Sequence, residues 1–240
     1  MKTRRMTRAS SSDESATGVT VNVPLSWQAL TSAQMEYVCR IMSSGQWATE
    51  EVKTVFFIRL ARLQRYPLAR LQPMDIAQHL PLLDWLERGP EGIIMLPKVS
   101  GRTAEWAGDL HGCPFRTYLS MENYYQGYLL SQNVEALEAL GSLLYPRCRR
   151  LLVHERYWLL LWMVGLKAEY ARRFPDLFRP SAEGGEPPNM LEVMNAEIRA
   201  LTGGDITKQG AVLQADTLDA LTELDAKARE AREMEERMKK

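Results

Sequence analysis

Residues 157–166 read Tyr157-Trp158-Leu159-Leu160-Leu161-Trp162-Met163-Val164-Gly165-Leu166, with no charge and two tryptophans. The run lies between Arg156 and Lys167, and Glu169, Arg172 and Arg173 follow at once. A bilayer-crossing helix needs about 20 apolar residues, so this stretch is too short to span a membrane. Extended in both directions, it carries Trp158, Trp162, Leu166, Tyr170 and Phe174 four residues apart, near one helical face. Leu159, Leu160, Leu161, Met163 and Val164 cover most of the remaining circumference. A helix apolar nearly all round is buried on most sides. Residues 152–174 are therefore expected to form the central core helix, with Gly165 admitting a neighbouring helix at close range.

The flanking sequence predicts more helices. In 24–47, Thr31 and Gln34 form a capping box ahead of Met35, Val38, Ile41 and Met42, and Gly45 suits a C-terminal stop. Trp27 and Leu30 stand where they can staple the entry. Thr49 is the expected cap of a second helix with Glu50 and Glu51 in its first turn, and with Val52, Val55, Phe56, Leu60 and Leu63 as its apolar positions. That helix must end before Pro67. Short helical pieces are expected over 74–79 and 82–86. Residues 93–99, IIMLPKV, are the best strand candidate, which Pro97 demotes to an edge or a short extended arm. A loop runs from Gly101 to Pro114. Ser120 with Asn123 marks one helix start, and Asn133 caps another that carries Leu137, Leu140, Leu143 and Leu144 before Pro146.

Residues 175–189 hold four prolines and two glycines and are read as a loop or linker. Asn189 with Glu192 restarts a helix that stops at Gly203–Gly204, and a short helix follows around 207–214. The last helix, 217–239, repeats Leu218, Leu221, Leu224, Ala228, Ala231, Met234 and Met238 at spacings of three and four. Acid-to-base pairs at i, i+4 flank this stripe: Glu223–Lys227, Asp225–Arg229, Glu233–Arg237, Glu235–Lys239 and Glu236–Lys240. Because the stripe shrinks from Leu to Ala, its start is expected on the core and its end as a projecting arm. Leu224, Ala228, Ala231, Met234 and Met238 are the candidate partner-binding residues.

The expected fold is mainly α, an irregular multi-helix bundle with at most a short extended segment near 93–99. Its organisation is a disordered tail over 1–22, a helical core over 23–174, the linker 175–189 and a C-terminal helical segment over 190–240. Whether core and C-terminal segment make one domain or two is open at this level, because a proline-rich linker permits both.

The 240 residues are 45% hydrophobic and 25% charged, ordinary for a globular chain long enough to bury a core. Thirty basic and thirty acidic residues cancel, which argues against a nucleic-acid surface across the whole protein. Three scattered cysteines, Cys39, Cys113 and Cys148, make no CxxC pair, so a reducing cytoplasm is expected. The N-terminal tail starts basic, with Lys2, Arg4, Arg5 and Arg8, but no apolar stretch follows to make a secretory signal.

No catalytic constellation, cofactor motif or metal site emerges, and the chain is read as a non-enzyme. His111, Cys113, Cys148 and His154 lack the short Cys-x-x-Cys spacing of zinc loops. Residues 202–210, TGGDITKQG, have glycines beside a Lys and a Thr, but a phosphate loop needs another order after a strand. A helix stop followed by Asp205 as a cap explains them. The strongest basic cluster is Arg147, Arg149, Arg150 and Arg156, a candidate patch for nucleic acid or an acidic protein.

Three stretches, PLSWQALTSAQMEYVCRIM (24–42), NYYQGYLLSQNVEALEALGSLLYPR (123–147) and IRALTGGDITKQGAVLQADTLDALTELDAKAREA (198–231), resemble helical proteins encoded by phages and prophages of gut bacteria. The resemblance implies a tail assembly chaperone or related accessory factor in the host cytoplasm, shielding apolar helices of a tape-measure or tail-tube protein. Twelve methionines suit such adaptable binding. The alternative is a DNA-associated accessory protein, a regulator or packaging factor, acting through the basic clusters with steep salt dependence.

Overall fold

The computed structural model describes residues 4–5, 20–45, 50–63, 73–148, 150–179 and 189–239. Among them are nine α-helices: α1 Ser32–Met42, α2 Glu50–Leu60, α3 Pro73–Ala77, α4 Phe115–Ser131, α5 Val134–Leu144, α6 Val153–Arg173, α7 Met190–Thr202, α8 Gln209–Gln214 and α9 Thr217–Met238. Short 3₁₀ turns cover Trp27–Ala29, Leu80–Glu87 and Ile206–Lys208. The protein is mainly α-helical, a multi-helix arrangement around one continuous apolar core.

Helix α6 is the axis of that core. Trp158, Leu159, Trp162, Met163, Leu166 and Tyr170 are all buried. Helix α1 packs along it with Met35, Val38, Cys39 and Met42 inward. The predicted capping box forms: Thr31 Oγ1 accepts from Gln34 N at 3.3 Å, and Gln34 Oε1 accepts from Thr31 N at 2.9 Å. Helices α4 and α5 form a hairpin, with Asn133 Oδ1 accepting from Glu135 N at 2.9 Å. Helix α2 turns Phe56, Phe57 and Leu60 inward and leaves Val55 exposed, so Phe57 takes the place expected of Val55. Its expected cap, Thr49, lies outside the described residues.

Opposite α6 runs a segment without helix, residues 88–114. A loop this long needs partners for its backbone polar groups. Side chains supply them: Trp158 Nε1 donates to Met95 O at 2.7 Å, Trp162 Nε1 to Gly108 O at 2.9 Å and Tyr170 Oη to Asp109 O at 2.9 Å. Trp27 Nε1 donates to Arg88 O at 2.8 Å, Gln28 Nε2 to Gly92 O at 3.0 Å and Tyr145 Oη to Pro97 O at 2.5 Å. Residues 93–98 form neither helix nor strand. Val99 and Arg102 then pair across a tight turn at Ser100 and Gly101, both with positive φ. Gly165 is indeed a point of close approach, but its neighbour is the turn at 89–92, not a helix. A Cβ there would run into the Gly92 carbonyl oxygen.

Helix α4 starts at Phe115, five residues before the expected Ser120. Contacts distant in sequence set this boundary. Phe115 N donates to Ala215 O at 2.9 Å, Thr217 N to Cys113 O at 2.9 Å and Thr217 Oγ1 to the same carbonyl at 2.7 Å. The C-terminal segment is thus sewn to the core, and Leu218, Ala220, Leu221 and Leu224 belong to the same apolar cluster as α6. Asn189 caps α7, and Gly203, left-handed at φ 63°, ends it as expected. Of the expected tail over 1–22 only 4–5 and 20–22 are described, and Arg4–Arg5 pair antiparallel with Thr20–Val21; of the expected linker over 175–189, residues 175–178 form a turn and 180–188 lie outside the described residues.

Candidate partner-binding surface

Helix α9 has two halves. Asp216 caps it through Leu218 N at 2.8 Å, and its first two turns bury Leu218, Leu221 and Leu224. Two anchors then hold it to the end of α6. Asp225 Oδ1 accepts from Asp176 N at 2.8 Å and Leu177 N at 3.0 Å, and Arg232 pairs with Asp176. Past Arg232 the helix leaves the core.

The reason lies in the spacing. Steps of 3, 3 and 4 residues average less than the 3.6 of an α-helix, so the stripe rotates around the axis. Between Leu218–Leu224 and Ala231–Met238 the drift is about 100°. Ala228 is half-buried and Ala231 exposed, while Met234 and Met238 are 61% and 79% exposed. Of the five proposed partner-binding residues, Leu224 is therefore core, Ala228 is at the boundary, and the last three form the free stripe. The pairs Glu223–Lys227 at 3.1 Å and Glu233–Arg237 at 3.9 Å flank it. Asp225 turns instead to the backbone at 176–177, and Arg232 adds Glu236 at 4.0 Å.

Of the candidate basic patch, three arginines are described. Arg147 and Arg150 are exposed, and Arg149 lies outside the described residues. Arg156 is half-buried and pairs with Glu138 at 2.8 Å, and Glu138 also accepts from Leu151 N at 3.0 Å. Arg156 therefore ties α6 to α5, and Glu138 also holds the Leu151 backbone. Arg147 borders a cleft of about 620 Å³ lined by Gly101–Glu105 and Leu144–Cys148. The cleft sits at the carboxyl end of α5, where the helix dipole is negative and opposes an anion.

The four His and Cys residues weighed as zinc ligands are dispersed in role. His111 is exposed beside Asp216, 4.0 Å away. Cys113 is buried, and burial pushes its thiol up to about 11. Cys148 Sγ lies 3.8 Å from Val99 O. His154 is buried between α6 and α1, and burial with Arg40 nearby lowers its pKa. Among the described residues no three His, Cys, Asp or Glu side chains gather as a metal site. Asp205 caps the Ile206–Lys208 turn through Thr207 N at 3.0 Å, so residues 202–210 make a helix stop and restart. Comparison with known protein families, curated proteins and solved structures returns no match.

One group escaped the sequence reading. Glu122 of α4 is buried, and Lys167 of α6 donates to it at 2.9 Å. No local motif marks such a pair, because its members are 45 residues apart. A lone Glu among Tyr, Met and Leu in 117–130 is its faint trace.

Proposed function

We propose that this chain is a non-catalytic accessory protein of phage or prophage tail morphogenesis. It acts in the host cytoplasm as an assembly chaperone for apolar helices of a tape-measure or tail-tube protein. The observation that carries the reading is the outer half of α9, a well-formed helix that leaves the core with Ala231, Met234 and Met238 uncovered. Exposed methionine stripes suit partner helices of varied shape, since the unbranched thioether repacks at little cost. The resemblance of 24–42, 123–147 and 198–231 to phage-encoded helical proteins supplies the biological setting. No helix among the described residues is long and apolar enough to cross a membrane, so α6 supports a core role, not a lipid one. The alternative DNA-associated role draws less support, because Arg156 is spent on Glu138.

The test is affinity capture of the tagged chain from prophage-induced cells, beside a Met234→Glu/Met238→Glu variant, with mass spectrometry of the bound proteins. The expected result is a long helical tail protein or tube subunit held by the wild type and reduced at least about tenfold with the variant, as loss of two apolar anchors implies. Recovery of DNA or packaging proteins, equal for both chains and lost in salt, would overturn the reading.

A further inference from the structure

The free stripe of α9 is complementary to a second copy of itself. Lys227, Ala231, Met234 and Met238 recur at steps of 4, 3 and 4, the alternation of seam positions in a coiled coil. Ala231, Met234 and Met238 are exposed, and half-buried Lys227 can lay its aliphatic stem along the seam. The core side of the arm is held by Arg232, which pairs with Asp176. Arg232 follows Ala231 directly, so the stripe is turned about 100° from the core side.

Two such arms can pair parallel or antiparallel, and both size and charge select the second. In a parallel pair each seam residue meets its own copy, so the alanines leave a gap and the methionines crowd. Glu230 then flanks Glu235 of the second copy, acid against acid. In an antiparallel pair Ala231 faces Met234 of the second copy, small against long, and Lys227 lies along its Met238. The same register sets Glu230 opposite Arg237 of the second copy, and the two-fold axis repeats that pair. Glu230 is exposed, and Arg237, with a side chain 81% exposed, holds its own Glu233 only at 3.9 Å. On the other flank Glu235 meets Ala228, which brings no charge against it.

We propose that, with no client bound, the outer half of α9 pairs antiparallel with the same half of a second copy of this chain and so covers Ala231, Met234 and Met238. The contact spans about 12 residues a side, short of the roughly 20–30 of a standard interface. It is therefore weak, half-formed near about 100 µM, and open at low micromolar concentration. A tail-protein helix binding the same stripe must displace the second copy, which makes the pairing a regulator of that site. This regulatory sense rests on the client reading of the stripe, whereas the pairing itself is measured with no client present.

The test is sedimentation velocity of the full chain from about 5 µM to about 1 mM, where the wild type is expected to pass from monomer to dimer. Glu230→Arg sets two arginines against each other across the pair and is expected to weaken association at least about fivefold. Arg237→Glu is expected to do the same. Glu230→Arg/Arg237→Glu exchanges the two charges and is expected to recover the wild-type midpoint within about twofold, which separates lost pairing from lost folding. A wild type still monomeric at about 1 mM overturns the proposal, as does an exchange variant no better than the single ones. Glu230→Arg associating as well as the wild type, or better, also overturns it, since a parallel pair would set the new arginine against Glu235 of the second copy. Capture of a tail protein by the stripe stands or falls separately from each of these results.

Discussion

Trp162 shows how one residue decides the fold. It is fully buried, and its indole N–H satisfies the Gly108 carbonyl of the 88–114 segment. Trp162→Ala removes both packing and donor, and a loss of about 3–5 kcal/mol is expected in denaturant unfolding. Trp162→Phe keeps most of the volume and strands the carbonyl, with an expected loss of about 1–3 kcal/mol. Gly165→Ala needs the 89–92 turn to move, because the new methyl meets the Gly92 carbonyl. An expected cost of about 1–3 kcal/mol should appear as a lower midpoint of unfolding. The four-residue spacing of Trp158, Trp162, Leu166 and Tyr170 made the buried face legible in the sequence. It did not show what that face would meet. Spacing gives direction around a helix, whereas the partner, here a loop whose carbonyls need donors, is fixed by contacts about 60 residues away.

At the scale of elements, the ends of α1, α5, α7 and α9 follow from local chemistry. Thr31, Asn133, Asn189 and Asp216 all cap through their side chains. The start of α4 does not, because Ala215 and Asp216 set it from across the fold. In α9 the shrinkage from Leu to Ala correctly marked the exit from the core, yet Asp225 was read as a helix-surface partner of Arg229. It instead receives two backbone N–H groups at 176–177. Asp225→Ala is expected to cost about 1–3 kcal/mol and to raise amide exchange at 174–178. Truncation after Arg232 removes exposed residues, so the melting temperature is expected to shift by no more than about 2 °C. A large fall would mean that the outer turns belong to the core.

At the scale of the whole molecule, the proline-rich linker left one domain or two equally open. The answer lay in the pairing of Cys113–Phe115 with Ala215–Thr217, invisible to any local pattern. The C-terminal helices share the apolar cluster of α6, so thermal unfolding of the full chain is expected as one transition, with no separate early melt of 190–239. The Glu122–Lys167 pair was illegible for the same reason, since its members stand on two helices 45 residues apart.

The most direct test of the partner-binding account is hydrogen–deuterium exchange of α9, with and without the purified protein recovered by affinity capture. In the free chain, 218–228 are expected to be protected and 233–238 to exchange fast. Addition of the partner is expected to protect 231–238, with loss of that effect in Met234→Glu/Met238→Glu. Protection that appears around Arg147 and Arg150 instead, with α9 unchanged, would contradict the account.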